Sequence, residues 1–360
     1  MDTCVNLMVM IAPGVRIIAV GLLSGGLDST LAARVLLDHG IDVRAINFVS
    51  PFCCCTPRGN GCAAVVRSVV QLGNIPLRRI NLGQEYLQMV RQPRHGYGRG
   101  MNPCLDCRII KLRKAHEYMM EIGAHFLFTG EVLGQRPMSQ HLRALELIDR
   151  ECGLTGLVLR PLSASLLKPT EPELLGWVER GKLLAISGRS RKNQIRLAAE
   201  KNIVDYPCPA GGCLLTDMHF AGKLRKWLQN GYSLTPHDVE LLKIGRHFFF
   251  ANNDRLIIAR NQEECGKLEK LACADDFLFI PENFSGPSVL FSGQNPEATL
   301  KKIGVFGKKS TLTGTLVRCF HSGQDSLEFL PETGSGESTL AQGLRVWNFP
   351  GYGAGDNISR

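Results

Sequence analysis

No apolar run in the 360 residues approaches the roughly 18 to 20 that a membrane-spanning helix needs, and there is no internal repeat or low-complexity tract. A helical membrane protein and a repeat array are therefore both excluded. The mildly apolar start, Val5 to Met10, lacks the basic leader of an export signal and runs straight into a β-like segment, so no targeting segment is read and a cytoplasmic location is expected. Without an export signal, the thirteen cysteines do not read as a disulfide scaffold. They point to metal, sulfur or redox chemistry in a reducing compartment. Nothing in the pattern speaks to oligomeric state.

With 44% hydrophobic and 21% charged residues, the chain can bury a large core and fill two or three domains. The net charge of +9 favours a polyanionic partner such as RNA. Its placement sharpens that reading. Arg91, Arg94, His95, Arg99, Arg108, Lys111, Arg113 and Lys114 crowd one stretch, and Arg189, Arg191, Lys192 and Arg196 another. The competing reading is solvated helix faces.

Residues 16 to 30 hold the most informative feature: an apolar β-run breaks into Ser24-Gly25-Gly26-Leu27-Asp28-Ser29 and continues with helical spacing through Leu31, Val35 and Leu36. Adjacent glycines let the backbone approach an anion, Ser24 and Ser29 add hydroxyls, and the following helix aims its N-terminal amides at the same place. No lysine follows the glycines, so this is not a Walker A loop. The six residues resemble the SGGxDS loop of the PP-loop ATP pyrophosphatases. That resemblance implies cleavage of ATP between its α and β phosphates with transfer of AMP to a substrate oxygen; the spacing alone shows an anion site.

Val43 to Phe48 reads as a second strand, 63 to 73 as a helix, Leu77 to Asn81 as a third strand, 108 to 122 as a helix and Phe126 to Phe128 as a strand ending at Thr129-Gly130. A strand near Leu157 to Leu159 and helices at Glu171 to Arg180 and Asn193 to Asn202 follow. Alternation of this kind predicts an α/β fold with a doubly wound parallel sheet, its ligand outside the carboxyl ends of the strands. That domain is expected to span residues 1 to 215. Beyond it, a helix at 216 to 230 and a hairpin of Arg246 to Phe250 and Leu256 to Arg260 around Asn252-Asn253-Asp254 predict a smaller α+β module over 216 to 290. Residues 291 to 360 read as a β-like segment, with a run at Gly314 to Cys319, and a flexible tail from about Gly351.

The cysteines cluster. Asn102-Pro103-Cys104-Leu105-Asp106-Cys107 places two thiols at CxxC spacing just before a helix, where the dipole, Arg108 and Lys111 favour thiolate. Tyr206 to Cys213 puts Cys208 and Cys213 on a Pro/Gly loop. Cys53, Cys54, Cys55 and Cys62 form a third group, for which zinc binding, a sulfur relay and plain reduced loop thiols all remain open. Cys4, Cys152, Cys265, Cys273 and Cys319 read as small buried apolar residues.

Asn102-Pro103-Cys104 with Cys107 resembles the NPCxxC segment of the bacterial tRNA 2-thiouridylases, and the stretch from 16 to 215 resembles PP-loop proteins related to the tRNA 4-thiouridine synthases. Residues 129 to 140, 187 to 194 and Pro209 to Cys213 carry the same likeness. It implies that Cys104 and Cys213 are either a disulfide-forming, persulfide-carrying pair or, with Cys107, the ligands of a [4Fe-4S] cluster; Cys107 favours the cluster. By the same likeness Ser24, Gly25, Gly26 and Ser29 would hold pyrophosphate oxygens, Asp28 would place Mg²⁺ or orient the loop, and Gly130 and Glu131 would sit beside the α-phosphate or ribose. Asn47 and Phe48 would border the adenine, with a core role for Phe48 the alternative. Arg136, Gln140, Arg189 and Arg191 would contact phosphate or RNA, the alternative being surface ion pairs. His95 and His247 are further RNA or ligand contacts on this reading, against the ordinary structural role of a lone histidine. Residues 245 to 261 resemble an RNA-associated module of ribosome quality-control proteins, from which Ala259 departs.

The expected function is an ATP-dependent tRNA sulfurtransferase: AMP is placed on a uridine carbonyl oxygen, pyrophosphate is released, and sulfur from sulfide or a desulfurase-derived persulfide replaces the oxygen. Two rivals stand beside it. One is an ATP-dependent synthase acting on a small molecule, its cysteines holding structural zinc. The other is a ribosome- or RNA-binding factor with a vestigial nucleotide site. No RNA-binding domain is recognisable before the phosphate loop, so either RNA recognition falls to the basic surface and the C-terminal module, or tRNA is not the substrate.

Overall fold

A computed structural model describes residues 16–54, 61–207, 212–250, 253–282, 285–294, 296, 315–322, 324–330 and 345–346. Cys4, Val5 to Met10, Cys55, Cys208 to Gly211, Asn252 and the tail from Gly351 lie outside them, as does the Cys62 side chain. The chain divides into two units, Met1–Thr216 and Asp217–Arg360.

In the first unit, apolar alternation produces five short strands: β1 (Ile18–Leu22), β2 (Asp42–Val49), β3 (Leu77–Asn81), β4 (Phe126–Thr129) and β5 (Val158–Leu159). They form one sheet in the order β3-β2-β1-β4-β5, with every pair parallel. The α/β, doubly wound expectation is met. Among the described residues, seven α-helices accompany them: α1 (Leu27–Asp38), α2 (Gly61–Gln71), α3 (Gln84–Arg91), α4 (Cys104–Glu121), α5 (Leu142–Cys152), α6 (Glu171–Leu174) and α7 (Lys192–Glu200). Because successive strand residues face opposite sides, Ala19, Val43, Phe126 and Phe128 join Leu31, Val65 and Ala198 in one core layer. Val20, Ile46 and Leu127 join Leu112, Ala115 and Ile148 in the other. Each fully buried leucine among them contributes roughly 1.5–3 kcal/mol.

Several sequence boundaries shift. Helix α4 begins at Cys104 rather than 108, with Pro103 as its N-cap and Cys107 N donating to Pro103 O at 2.9 Å, so the CxxC thiols lie within the first turn. The helix expected over Glu171 to Arg180 stops at Leu174, because Gly176 turns the chain at φ +71° and the remainder resumes only as a 3₁₀ turn at Arg180–Lys182. The sequence reading passed over α3 and α5. Cys273, read as buried, is exposed, whereas Cys319 is buried as expected.

The second unit starts with α8 (Met218–Gln229), capped by the Asp217 carboxylate, and α9 (Pro236–Lys243), closed by a Thr235/Asp238 capping box with proline in its first turn. Strands β6 (Arg246–Phe249) and β7 (Arg255–Ile258) make the expected hairpin. After α10 (Gln262–Leu271), β8 (Phe277–Pro281), β9 (Val289–Ser292), β10 (Thr315–His321), β11 (Gln324–Leu330) and β12 (Arg345–Val346) complete an antiparallel sheet ordered β12-β11-β10-β8-β9-β7-β6. Its core gathers Leu256, Phe279, Val289, Phe291 and Val317.

Candidate nucleotide and thiol site

Strand β1 pairs with β2 on one side and β4 on the other, so the loops leaving β1 and β4 part over the sheet and leave a crevice at their carboxyl ends. The SGGLDS turn fills one wall. Ser24 Oγ and Ser29 Oγ lie 3.1 Å apart, Ser29 Oγ donates to Gly26 O at 2.9 Å, and Ser24 N donates to Ser29 Oγ at 3.2 Å, which closes the loop on itself. Gly26 is the N-cap of α1 and supplies no side-chain cap. The first-turn amides are therefore available to an anion, as is the positive end of the helix dipole.

Close approach explains two glycines. Gly25 sits at φ +76°, and a Cβ there would stand 2.6 Å from Val65 N; it packs on the start of α2. At Gly130 a Cβ would stand 2.5 Å from Ser29 N and Cα, so only glycine lets the end of β4 touch the first turn of α1. The Thr30 hydroxyl, bonded to Gly26 O and to Ser68 Oγ at 3.0 Å, ties that turn to α2.

The crevice holds a cavity of about 530 Å³, lined by Ser24, Gly26, Asp28, Ser29, Asn47, Phe48, Gly130, Glu131, Arg136, Gln140 and Arg191 among the expected residues. That size suits a small-molecule ligand. Arg108 and Lys111 also line it, so four basic side chains face two acidic ones. Asn47 spends its amide on Leu23 O at 2.8 Å, and Phe48 both lines the cavity and packs on the second core layer. Arg189 is exposed away from the cavity wall.

Asp28 Oδ2 is engaged by Arg191 at 3.0 Å and by Gln135 Nε2 at 3.1 Å, while its Oδ1 is buried and unpartnered. Gln140, 3% exposed, likewise leaves Oε1 without a donor. Buried orphan acceptors are costly unless a ligand supplies the missing donor or cation. Glu131 is spent differently. Its Oε2 accepts from Arg160 Nε and from Thr129 Oγ1, both at 3.1 Å, and Oε1 lies 3.3 Å from Arg108 Nε. Burial alone would raise its carboxyl, but Arg108 and Arg160 outweigh burial and hold it below the ordinary carboxylate value. Arg160, itself 4% exposed, continues to Asp149 at 2.7 Å. The sequence reading passed over Arg160, since its carboxylate partners Glu131 and Asp149 come from two other segments and no local spacing announces them.

The thiols come together through a pairing that spacing could not reveal. Cys53 and Cys213 form an antiparallel bridge, flanked by Cys54 N to Gly212 O at 3.2 Å and Leu214 N to Phe52 O at 2.9 Å. Met101 N bonds Leu215 O at 2.9 Å, which draws the segment before α4 to the same loop. Asn102 Nδ2 donates to Cys104 Sγ at 3.2 Å and the Tyr86 hydroxyl to Cys107 Sγ at 3.3 Å. Burial would raise the Cys107 thiol, but Lys111, the Tyr86 hydroxyl and Arg108 hold it below its usual value. Burial pushes the Cys213 thiol up to about 12. Cys53 and Cys54 line the cavity, with Pro207 and Gly212 beside them. Among the described residues, no three His, Cys, Asp or Glu side chains are arranged to hold a metal ion.

The two histidines weighed as ligands are structural. His95 is locked between Asp106 and Glu151, both at 3.1 Å. His247 Nε2 faces the carbonyls of Ile244 and Leu241, and burial drives its imidazole down to about 3. The first basic stretch is also partly spent: Arg94 pairs with Glu151, Arg108 with Glu131 and Lys114 with Glu85.

Residues 14–166 match the family described as thiamine biosynthesis protein (ThiI). The tRNA-specific 2-thiouridylase MnmA of Dichelobacter nodosus is 29% identical over 242 residues, 63% of this chain and 60% of that protein. The chain is similar to the ThiI family over residues 14–166, less than half of its length. It spans about 60% of the length of that relative. Residues 245–305 match the family described as NFACT protein RNA binding domain. Among solved structures, a 4-thiouridine synthetase–RNA complex with bound ATP aligns at TM-score 0.33 and 24% identity, covering 52% of this chain and 51% of that one. The U34-tRNA thiolase NcsA from Methanococcus maripaludis with its [4Fe-4S] cluster aligns at 0.33 and 18%, covering 63% and 73%.

Proposed function

We propose that this PP-loop protein is an ATP-dependent tRNA sulfurtransferase that adenylates a uridine carbonyl oxygen and replaces it with sulfur. One observation carries the reading: the SGGLDS turn and the thiol-bearing segment at Cys53 and Cys54 line the same cavity. A uridine oxygen is a very poor leaving group until AMP is attached to it. An enzyme that thiolates uridine therefore needs its phosphate loop and its sulfur nucleophile within reach of one carbon.

The α1 amides, Ser24 and Ser29 would take the pyrophosphate oxygens, and Arg136 and Arg191 the charge that develops on the departing phosphates. The orphan Oδ1 of Asp28 would help hold a Mg²⁺ ion, which would supply positive charge against the phosphates. Gln140 Oε1 would accept from the nucleotide or base. Cys104, Cys107 and Cys213 would supply soft donors suited to a [4Fe-4S] cluster or zinc; the steps here are assigned to thiols. Sulfide or a desulfurase-derived persulfide would supply the sulfur. The match of residues 245–305 to an RNA binding domain supports tRNA capture by the C-terminal unit.

The test is nucleoside mass spectrometry of tRNA incubated with the protein, ATP and a persulfide donor, alongside pyrophosphate release. Thiouridine formation lost in Ser24→Ala and Asp28→Ala, with tRNA binding retained, is the expected result. Unchanged thiolation in both variants, or pyrophosphate release that ignores tRNA and follows a small molecule, would overturn the proposal.

A further inference from the structure

The bridge between Cys53 and Cys213 has a specific geometry. Its flanking hydrogen bonds run from Cys54 N to Gly212 O and from Leu214 N to Phe52 O, and neither cysteine exchanges a backbone bond with the other. That is the non-hydrogen-bonded type of antiparallel pair, in which Cα atoms approach to about 4.5 Å and both side chains leave on the same face. A disulfide requires Cα atoms about 4.4–6.8 Å apart. The Cα spacing typical of such a pair falls within the range a disulfide spans. Ser50 holds the Cys53 sulfur in place, its amide at 3.3 Å and its hydroxyl at 3.5 Å. Cys53 also lines the nucleotide cavity. Cys104 and Cys107 stand on α4 with their sulfurs against Asn102 and Tyr86, near enough for their charges to act on the Cys213 thiol.

We propose that Cys53 is the resolving thiol of the sulfur-transfer step, working on Cys213 as a cross-strand pair. The inference rests on the sulfurtransferase reading above. A persulfide on Cys213 attacks the adenylated carbon through its terminal sulfur; the new carbon–sulfur bond forms as the carbon–oxygen bond to AMP breaks. The base is then joined to Cys213 through a disulfide. The Cys53 thiolate, its proton passed to solvent, attacks Cys213 Sγ; the Sγ–Sγ bond forms, the bond from Cys213 to the base's sulfur breaks, and the thiocarbonyl leaves. The sulfane sulfur has been reduced and the two thiols oxidised. A small dithiol or thioredoxin-type reductant returns two electrons and two protons to the pair.

Two readouts separate the inference from the reading beneath it. First, the full chain is treated with oxidised glutathione and mapped under non-reducing conditions. A peptide joining Cys53 to Cys213 is expected, retained in Cys104→Ser and absent in Cys53→Ser. Linkage of Cys213 to Cys104 in its place would overturn the pair. Second, single-turnover thiolation is run with tRNA, ATP and a persulfide donor but without dithiol. Cys53→Ser should accumulate a covalent adduct of Cys213 with tRNA that dithiothreitol releases, whereas the wild type frees its product. Equal release from Cys53→Ser would overturn the resolving role. A wild type that forms the Cys53–Cys213 disulfide yet never thiolates RNA would refute the sulfurtransferase reading while the redox pair stands.

Discussion

Substituting Gly130 by alanine tests whether the contact between the end of β4 and the first turn of α1 builds the nucleotide site. The added Cβ would lie 2.5 Å from Ser29 N and Cα and 2.6 Å from Asp28 C, all of them backbone atoms with no side-chain freedom to absorb the clash. Carbon atoms rest at about 3.5–4.0 Å, so the turn must retreat by roughly 1 Å. Overpacking of this kind costs about 1–3 kcal/mol, and each kcal/mol lowers the melting temperature by roughly 2–4 °C in a unit of this size. The retreat also withdraws the α1 amides from the phosphates. Losing a single hydrogen bond to a charged group costs about 1.5–3 kcal/mol, which weakens ATP binding by roughly ten- to a hundredfold. Calorimetric titration with a non-hydrolysable ATP analogue, paired with thermal melting, measures both. Gly222→Ala in α8 is the control: its Cβ meets nothing within 4 Å, so analogue affinity should be unchanged and stability should rise by about 0.5–1 kcal/mol. If Gly130→Ala bound the analogue and melted like the wild type, the close approach would not be what shapes the phosphate turn.

Other consequences are equally direct. Arg160→Ala leaves the Glu131 and Asp149 carboxylates without their shared cation and should destabilise the first unit by about 3–5 kcal/mol in urea unfolding; a cost near zero would remove the cluster from any structural role. Lys111→Met should move the pH profile of Cys107 alkylation to higher pH, because Lys111 is the largest of the influences holding that thiol down; an unmoved profile would show that the ammonium does not act on it. The His247 imidazole, about 3 in the folded chain against an ordinary 6.5, binds a proton more readily once unfolded. Its contribution to stability is therefore present above about pH 6.5 and is lost as pH falls toward 3, by up to about 1.4 kcal/mol per pH unit. An NMR titration that placed its midpoint near the ordinary histidine value would contradict this.

Local signals were legible wherever one segment carries the whole pattern. The strands at Leu77–Asn81 and Phe126–Thr129 and the β6–β7 hairpin could be read because alternation and turn residues are neighbours in sequence. The Glu171 helix was overextended because its propensity carries on past Gly176, and only the left-handed turn there ends it. Cys104 was placed outside its helix because proline and asparagine read as a loop, although a proline is well suited to the start of a helix. At the site, the cysteine triplet stayed ambiguous because its partner lies at Cys213, 160 residues away. His95 looked available until Asp106 and Glu151 closed on it.

The parallel α/β class and the Ser24–Ser29 turn were decided by the sequence, since both depend on residues that are near neighbours: the period of the strands, the adjacent glycines and the start of α1. Tertiary structure alone decided which groups share the cavity. The crevice exists because β4 joins β1 on the side opposite β2, and the thiols meet the nucleotide wall because residues 52–54 pair with 212–214. It also decided which charges are free to act. Glu131 and Asp28 look alike in a sequence, yet buried Arg160 and half-buried Arg108 stand within ion-pair distance of both oxygens of the first, while Oδ1 of the second keeps no partner. Burial makes every unpaired polar atom costly, so the difference between a structural ion pair and a ligand-seeking acceptor is set by contacts far apart along the chain.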